Sequence, residues 1–235
     1  MSMTDVSSAR DARPPTQHQI RSEATRARIL EAAHAHFVAV GLDGARMETI
    51  ALEAGVNKSL VYRHFGGREQ LYREVLRRAY EKVRQAEVDL SLPADPVAAL
   101  DRLVGFTFQY YIDNPDFLIL VGIENLNGGV HLRQLSSESL HVSSLLGILR
   151  RILDAGVASG LFRDGLDPIE LYMVVSSQCW FTVATTHTFG ITFGVEVLSP
   201  DSIDRRRALI CDNVRRFALR DPAGWSGDAR AGGEA

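Results

Sequence analysis

The chain of 235 residues has little that would tie it to a membrane, a metal or a disulfide framework. Its two cysteines, Cys179 and Cys211, lie inside apolar helical patterns at no spacing typical of a disulfide scaffold or a metal site. No segment approaches the roughly 18 apolar residues of a membrane helix, and the first twenty residues lack the apolar core of a signal peptide. These absences predict a cytoplasmic protein with no membrane partner and two buried thiols.

Motifs of enzymes are also missing. The sequence has no glycine-rich phosphate loop, no G-x-S-x-G and no H-E-x-x-H. His34 and His36 are two residues apart on a predicted helix, so their side chains diverge, which argues against a shared metal ion. We therefore expect no catalytic residues, no metal site and no cofactor.

The formal net charge of −3 argues by itself against nucleic acid, but the charges are unevenly distributed. Between Arg21 and Arg84 there are 12 Lys and Arg against 8 Asp and Glu, whereas the chain from Gln85 onward has 12 against 19. Positive potential is thus concentrated in the N-terminal third.

That third contains the sequence ETIALEAGVNKSLVYRHF, residues 48–65, which predicts two short helices joined by a turn. Gly55 supplies a position that often needs positive φ, Val56 fills the angle between the helices, and Asn57 is a good N-cap. Apolar residues recur at helical spacing on both helices: Ile50, Ala51, Ala54, Leu60, Val61 and Phe65. The pattern is typical of a helix-turn-helix, although an ordinary αα-hairpin has similar features.

The outward positions of the second helix have side chains suited to DNA, namely Lys58, Ser59, Tyr62, Arg63 and His64. Cations neutralise phosphates or reach guanine edges, and hydroxyls donate to phosphate oxygens. A helix of this size fits the major groove.

A preceding helix, predicted from Thr25 to Val40 and ending at Gly41, and a following helix from Arg68 would close a three-helix core. From Thr25 to Leu76 the chain reads TRARILEAAHAHFVAVGLDGARMETIALEAGVNKSLVYRHFGGREQLYREVL, and this segment resembles the TetR family of transcriptional regulators. The resemblance implies an all-α protein with an N-terminal three-helix helix-turn-helix domain and a larger C-terminal helical domain that binds an effector and dimerises.

The resemblance also implies roles for individual residues. Lys58, Ser59 and Arg63 match positions that contact bases or phosphates, and Tyr62 and His64 match residues that hold the DNA backbone. For His64, a partly buried packing role is the alternative. The remaining matched or nearby candidates for DNA contact are Arg46, Thr49, Asn57 and Arg68. Arg46 departs from the family pattern, since many relatives have Ser or Thr there as a helix cap. An arginine has no side-chain oxygen for that cap, but its charge still suits contact with a phosphate.

The organisation expected from these patterns is a disordered arm at residues 1–20, a DNA-binding domain at 21–85, an effector and dimerisation domain at 86–220, and a flexible tail at 221–235. Proline-marked starts predict helices at residues 96–114, 168–187 and 200–219, with two more at 117–127 and 131–156. Each of the three starts has an acid or serine before its proline: Asp95, Asp167 and Ser199.

Two of these helices are candidates for a homodimer interface. Residues 168–187 are apolar nearly all round, and the last helix has an apolar stripe opposite a row of arginines. The family resemblance implies that both helices pack against their symmetry mates, which would make the operator palindromic. The alternative is that the stripe faces only the chain's own core.

Residues 186–198, THTFGITFGVEVL, alternate strictly between apolar and small or polar residues, which is strand periodicity. We therefore expect an extended arm that lies across the partner subunit or over the ligand pocket.

Aromatic walls with a few polar groups are the usual composition of a small-molecule site. The candidates for binding a small-molecule effector are Phe106, Tyr110, Glu124, Asn125, Trp180 and His187, although ordinary core packing accounts for the aromatic residues as well.

The function that these observations favour is a homodimeric regulator of transcription, most simply a repressor, which binds a double-stranded DNA operator and is released by a small molecule. The alternative is a helical protein-interaction module without sequence-specific DNA binding. That alternative predicts no salt-sensitive affinity for DNA, whereas a regulator with several phosphate contacts must weaken steeply as salt rises.

Overall fold

The computed structural model describes residues 16–223, which form ten α-helices and no strand. The helices are α1 Gln17–Gly44, α2 Met47–Glu53, α3 Lys58–Phe65, α4 Arg68–Val88, α5 Pro96–Asp113, α6 Pro115–Leu126, α7 Val142–Ala158, α8 Pro168–Ala184, α9 Thr186–Phe193 and α10 Pro200–Ala218. The predicted all-α fold is confirmed. Within residues 16–223 no helix is both long and apolar enough to cross a bilayer.

Two compact units divide the chain between Tyr72 and Arg73, so α4 begins in the first unit and ends in the second. The boundary predicted from the sequence is residue 85, near the end of this helix. Residues 1–15 and 224–235, which include most of the predicted arm and tail, lie outside the described residues.

The N-terminal unit has a small core to which all of its helices contribute. Phe37 of α1 is fully buried and meets the edge of the Tyr72 ring at a centroid distance of 5.0 Å. Other buried residues of this unit include Ile29, Leu30, Ala33, Ile50, Ala51, Val61, Phe65 and Leu71. Because α2 and α3 are short, this shared core rather than intrinsic helix propensity holds them in place.

Helix α1 begins eight residues before its predicted start at Thr25, so the predicted arm of residues 1–20 overlaps a helix. Thr16 and Gln19 form a capping box, in which the Gln19 amide donates to the Thr16 hydroxyl at 3.3 Å and the Thr16 amide donates to Gln19 Oε1 at 2.7 Å. The predicted stop at Gly41 is seen as a kink, since Gly41 has φ 72° and ψ 179° before one further turn.

The C-terminal unit is built around α5, which packs against α6, α7, α8 and α10. Leu100, Val104 and Phe108, four residues apart along one stripe of α5, are fully buried. Both cysteines are buried in the same core, as predicted, and burial raises the pKa of Cys179 to about 12 and that of Cys211 to about 11. These thiols are therefore protonated at neutral pH.

Two of the three predicted N-caps are confirmed. Asp95 accepts from the Ala98 amide at 2.8 Å, and Asp167 accepts from the amides of Ile169 and Glu170 at 2.7 and 3.1 Å. Ser199 occupies the third cap position, but its hydroxyl donates to Ser202 Oγ at 2.9 Å and caps no amide.

The helix predicted at residues 131–156 is wrong in its first half. A 3-10 turn, Leu132–Gln134, and irregular turns precede α7, which begins at Val142. Polar residues of the loop bond to one another or to nearby backbone, as Ser136 Oγ does with Ser139 at 2.9 Å. Serine side chains that bond locally compete with a regular helix, and this explains the error.

The extended arm predicted at residues 186–198 is also wrong, because its first half is helix α9. Phe189 and Phe193, four residues apart, contact each other at a centroid distance of 4.4 Å, so the apolar alternation also satisfies a helical register. The hydroxyl of Thr186, the first residue of α9, donates to the Thr182 carbonyl of α8 at 2.9 Å. Gly194, with φ 65° and ψ 34°, ends the helix.

A close approach at Gly156 joins α7 to the segment before α8. The Phe162 ring is fully buried against the helix, and the Phe162 amide donates to the Gly156 carbonyl at 3.0 Å. A Cβ on residue 156 would lie 2.0 Å from Cδ2 of Phe162, a separation that real structures do not show. Only glycine fits this position without displacement of the ring.

We predict that Gly156→Ala destabilises the protein by about 1–3 kcal/mol through overpacking, which outweighs the roughly 1 kcal/mol that alanine gains over glycine in a helix. The matched control is Gly147→Ala on the same helix, where the nearest atom to the new Cβ is the Arg151 guanidinium at 3.8 Å. Urea unfolding followed by circular dichroism compares the two. Equal midpoints for both variants would contradict the close packing.

Candidate DNA-binding surface and effector region

The turn between α2 and α3 has the geometry that the sequence predicts. Gly55 has φ 64°, and the Val56 amide donates to the Ala51 carbonyl at 2.9 Å. Asn57 caps α3, since its Oδ1 accepts from the Leu60 amide at 2.8 Å. Val61 and Phe65 are buried, which turns the opposite face of α3 outward.

The outward face of α3 presents the predicted candidates. Ser59 is exposed and its hydroxyl donates to Asn57 Oδ1 at 2.7 Å. Tyr62 is 42% exposed and its ring lies 5.6 Å from the Lys58 ammonium, while Arg63 is exposed. The surface of this short helix therefore presents an ammonium group, two hydroxyls and a guanidinium.

Lys58 is held by a residue that sequence reasoning missed. Its ammonium donates to the Glu48 carboxylate of α2, and this bond lowers the pKa of Glu48 and raises that of Lys58. Both side chains are exposed, so the pair is screened by solvent and salt. Glu48 lies ten residues before Lys58, on a different helix. This separation in sequence does not predict a contact, which depends on how α2 packs against α3.

His64 is partly buried beside Phe65, with the ring centroids 6.2 Å apart. Burial, followed by the charges of Arg63 and Arg26, lowers the pKa of His64, so the imidazole is neutral at pH 7. A neutral ring can still donate one N–H to a phosphate, but it contributes no positive charge.

The remaining candidates surround α3. Arg46 is exposed at the start of α2 and makes no side-chain cap, as expected, while its amide donates to His36 Nε2 at 3.4 Å. Thr49 is partly buried. Arg68 opens α4, and its guanidinium donates to the Asp43 carbonyl at 3.3 Å.

The six effector candidates differ in burial. Phe106 and Tyr110 on α5 lie 5.8 Å apart by ring centroid, and Tyr110 is buried. Asn125, Trp180 and His187 are exposed in the single chain. Their part in an effector site stays a prediction.

Glu124, the sixth candidate, is buried and fixes the chain that follows α6. Its carboxylate accepts from the amides of His131 and Leu132 at 2.7 and 3.0 Å, and its other oxygen lies 3.0 Å from His131 Nδ1. Glu124 thus satisfies backbone donors that would otherwise be buried without partners.

A second buried polar cluster includes residues that the sequence did not single out. Arg84 and Glu87 on α4 are 7% and 2% exposed, and Arg84 Nη1 donates to both Glu87 oxygens at 2.5 and 2.6 Å. Burial raises the pKa of Glu87 against the opposing effect of the Arg84 charge. In the sequence, an Arg and a Glu three residues apart on a helix are typical of a solvent-exposed face. The burial of Arg84 and Glu87 could therefore not be predicted from this spacing.

Aromatic rings surround this ion pair. Tyr172 of α8 lies with its ring 5.5 Å from the Arg84 guanidinium, and Tyr111 Oη is 2.9 Å from Ser176 Oγ on the same helix. Tyr80 packs on Phe117 at 5.4 Å. Burial raises the pKa of Tyr111 and of Tyr80, so these hydroxyls stay protonated.

Comparisons with known proteins match both units. The family profile described as bacterial regulatory proteins, tetR family, matches residues 29–75, and the profile described as tetracyclin repressor-like, C-terminal domain, matches residues 96–214. The chain is 36% identical over 178 residues to the HTH-type transcriptional repressor NicS of Pseudomonas putida, covering 75% of this chain and 84% of the relative. The chain belongs to the TetR family.

Two further similarities agree with this assignment. The HTH-type transcriptional repressor SCO4008 of Streptomyces coelicolor is 31% identical over 166 residues, which are 68% of this chain and 80% of that protein. A tetR-family regulatory protein from Rhodococcus RHA1 has the same fold, with a TM-score of 0.61 and 21% identity over 85% of this chain and 99% of that one. This TetR-family chain is accordingly a DNA-binding transcriptional regulator.

We predict that Glu48→Gln in this TetR-family protein tightens binding to duplex DNA of any sequence by roughly twofold to fivefold at low salt, because Lys58 loses its carboxylate partner and a negative charge leaves the surface. Fluorescence anisotropy with a random-sequence duplex measures the change, which should shrink as salt rises.

The control is Glu53→Gln on the same helix, where the carboxylate lies 3.8 Å from His36 and contacts no α3 cation in the described structure. An equal gain from both substitutions would show that only net charge matters and that the Glu48 contact with Lys58 does not.

Proposed function

We propose that this protein is a homodimeric repressor that inserts α3 into the major groove of a palindromic operator and is released by a small-molecule effector. The observation that carries the proposal is the outward surface of α3, where Lys58, Ser59, Tyr62 and Arg63 are exposed on a helix fixed by a buried core. The names of NicS and SCO4008 describe both relatives as repressors, which supports this direction of control.

The exposed positions of α3 support a proposed role for each side chain. Lys58 and Arg63 are proposed to reach base edges or phosphates, with Arg63 able to engage guanine through two parallel donors. Ser59 and Tyr62 are proposed to donate hydroxyls to phosphate oxygens, and His64 to donate its single N–H.

The flanks of α3 complete the surface. Arg46 and Arg68 are proposed to contact phosphates on either side, while Asn57 and Thr49 support the helix start and its neighbour. Phosphate contacts of this kind set the register of α3 without reading sequence.

Selection from a random duplex library should enrich an inverted repeat, and affinity for the selected duplex should fall steeply with salt. Lys58→Ala combined with Arg63→Ala should weaken that affinity by roughly thirtyfold or more, because two contacts to bases or phosphates are lost. Sedimentation should show the same oligomer as the parent protein.

The charge-matched control is Lys82→Ala combined with Arg150→Ala, two exposed cations of the C-terminal unit. Enrichment of no sequence, or an affinity that salt leaves unchanged, would favour a helical protein-interaction module instead. An equal loss in the control would assign the effect to net charge.

The dimer is proposed to form through α8 and α10. Ile169, Met173 and Trp180 lie on one face of α8 and are 54%, 58% and 37% exposed, and Leu209 of α10 is 47% exposed. The two helices pack together, and Asn213 Nδ2 donates to Gln178 Oε1 at 2.9 Å between them. An exposed apolar stripe across two adjacent helices is typical of a subunit interface.

Met173→Arg should weaken dimerisation by at least roughly tenfold, since it places a charge at the centre of this apolar stripe. Analytical ultracentrifugation measures the dimer dissociation constant. The control is Leu126→Arg, at an apolar position of α6 that is 90% exposed and distant from the stripe along the chain. A dimer unaffected by Met173→Arg but weakened by Leu126→Arg would place the interface elsewhere.

Release of the operator requires an effector that favours one geometry of the dimer over another. A ligand with equal affinity for the DNA-binding and the released geometry shifts nothing, however tightly it binds. The effector is proposed to bind in the C-terminal unit, where Tyr110 is the candidate that lies in the aromatic interior and Phe106 contacts it.

A further inference from the structure

An exposed ion pair lies at the start of α3, the end of a helix-turn-helix recognition helix that meets base edges. Lys58 is the first residue of α3, and its ammonium donates to Oε1 of Glu48 on α2. The side chains of Lys58 and Glu48 are 48% and 63% exposed. The pair therefore presents a donor and an acceptor side by side on the surface proposed to enter the major groove.

The bond between the two side chains leaves each of them with capacity for further bonds. An ammonium has three N–H donors, and a carboxylate has about four lone-pair sites. Lys58 uses one donor on Glu48, and this bond takes one of the Glu48 lone-pair sites. A base pair can therefore bond to both groups while the contact between them stays intact.

One base-pair edge matches this arrangement of donor and acceptor. In the major groove a G·C pair presents the acceptors N7 and O6 of guanine next to the N4 donor of cytosine. O6 and N4 are hydrogen-bonded to each other, so they lie about 3 Å apart, as the nitrogen and oxygen of a hydrogen-bonded ammonium and carboxylate do. Lys58 can donate to guanine while Glu48 accepts from the paired cytosine.

The other three arrangements of a base pair form fewer bonds. With thymine facing Lys58 and adenine facing Glu48, O4 and N6 still match, but thymine presents its methyl group in place of the N7 acceptor. With adenine facing Lys58, thymine O4 faces the Glu48 carboxylate, and two acceptors with no proton between them repel each other. A reversed pair, with cytosine facing Lys58, places donor against donor and acceptor against acceptor.

We propose that Glu48 and Lys58 together read one G·C pair in each half-site of the operator, with guanine facing Lys58 and cytosine facing Glu48. Glu48 is thereby a specificity-determining residue, because its carboxylate accepts from cytosine and repels a thymine in the same place. This inference deepens the proposed function, and it rests on the proposed insertion of α3 into the major groove.

The test compares the affinities of the full chain for the selected duplex and for duplexes in which one G·C pair of each half-site is replaced by A·T. At one position the replacement should weaken binding of the parent protein roughly tenfold or more. Glu48→Gln should reduce that penalty at least roughly fivefold, because its amide has a donor for thymine O4 as well as an acceptor for cytosine N4. Fluorescence anisotropy measures each affinity.

The ratio between two duplexes separates base reading from net charge. Loss of a carboxylate strengthens binding to the phosphates of both duplexes by a similar factor, so this general gain cancels in the ratio. Glu53→Gln is the matched control, since it makes the same charge change on α2 at a carboxylate that lies 3.8 Å from His36. It should keep the penalty of the parent protein.

A modified base tests the part of Lys58. At the same position, 7-deazaguanine lacks the N7 acceptor, so it should weaken binding of the parent and of Glu48→Gln by similar factors of at least roughly threefold. Equal affinity of the parent for guanine and 7-deazaguanine would overturn the assignment of this base to Lys58.

Three results would overturn the role of Glu48: a selected half-site without a fixed G·C pair, an undiminished penalty in Glu48→Gln at every such pair, or an equal reduction by Glu53→Gln. Failure of the proposed function gives a different result. The parent protein then enriches no duplex, or its affinity is insensitive to salt, and the reading of a G·C pair is refuted together with the operator.

Discussion

Burial of α5 is the constraint on which the C-terminal unit depends. Ten of its 18 residues are buried, and four other helices pack around it. At about 25 cal/mol for each Å² of apolar surface removed from water, this shared burial outweighs the weak helix propensity of its β-branched and aromatic residues. The same packing places Tyr110 and Tyr111 in the interior.

Local rules were sufficient where a single residue type determines the backbone. The Asp95 and Asp167 caps, the turn at Gly55 and the Asn57 cap of α3 each follow from a side chain that bonds to an amide within three residues or from a glycine at positive φ. The helix-turn-helix was predicted for the same reason, since its two helices and its turn are adjacent in sequence. The family assignment follows from that stretch and the matching C-terminal profile.

Tertiary contacts determined what the sequence could not predict. Alternation at residues 186–198 fits a strand and a helix equally, and the ring contact between Phe189 and Phe193 belongs to the helix. The surroundings of Lys58 and Arg84 are likewise set by folding: Glu48 is on another helix, and Tyr172 of α8 lies against the Arg84 guanidinium. Charge pairs look alike in sequence whether water or protein surrounds them.

Under the proposed role of Lys58 in DNA binding, its contact with Glu48 would change how the protein searches a chromosome. Binding to unrelated sequence is almost wholly electrostatic, so a carboxylate paired with a cation of the proposed recognition helix would weaken binding to every random site. At the operator, base contacts add affinity that random sequence cannot supply. Since a genome offers about a million or more competing sites, shorter stays at each of them leave a larger fraction of the molecules free to reach the operator.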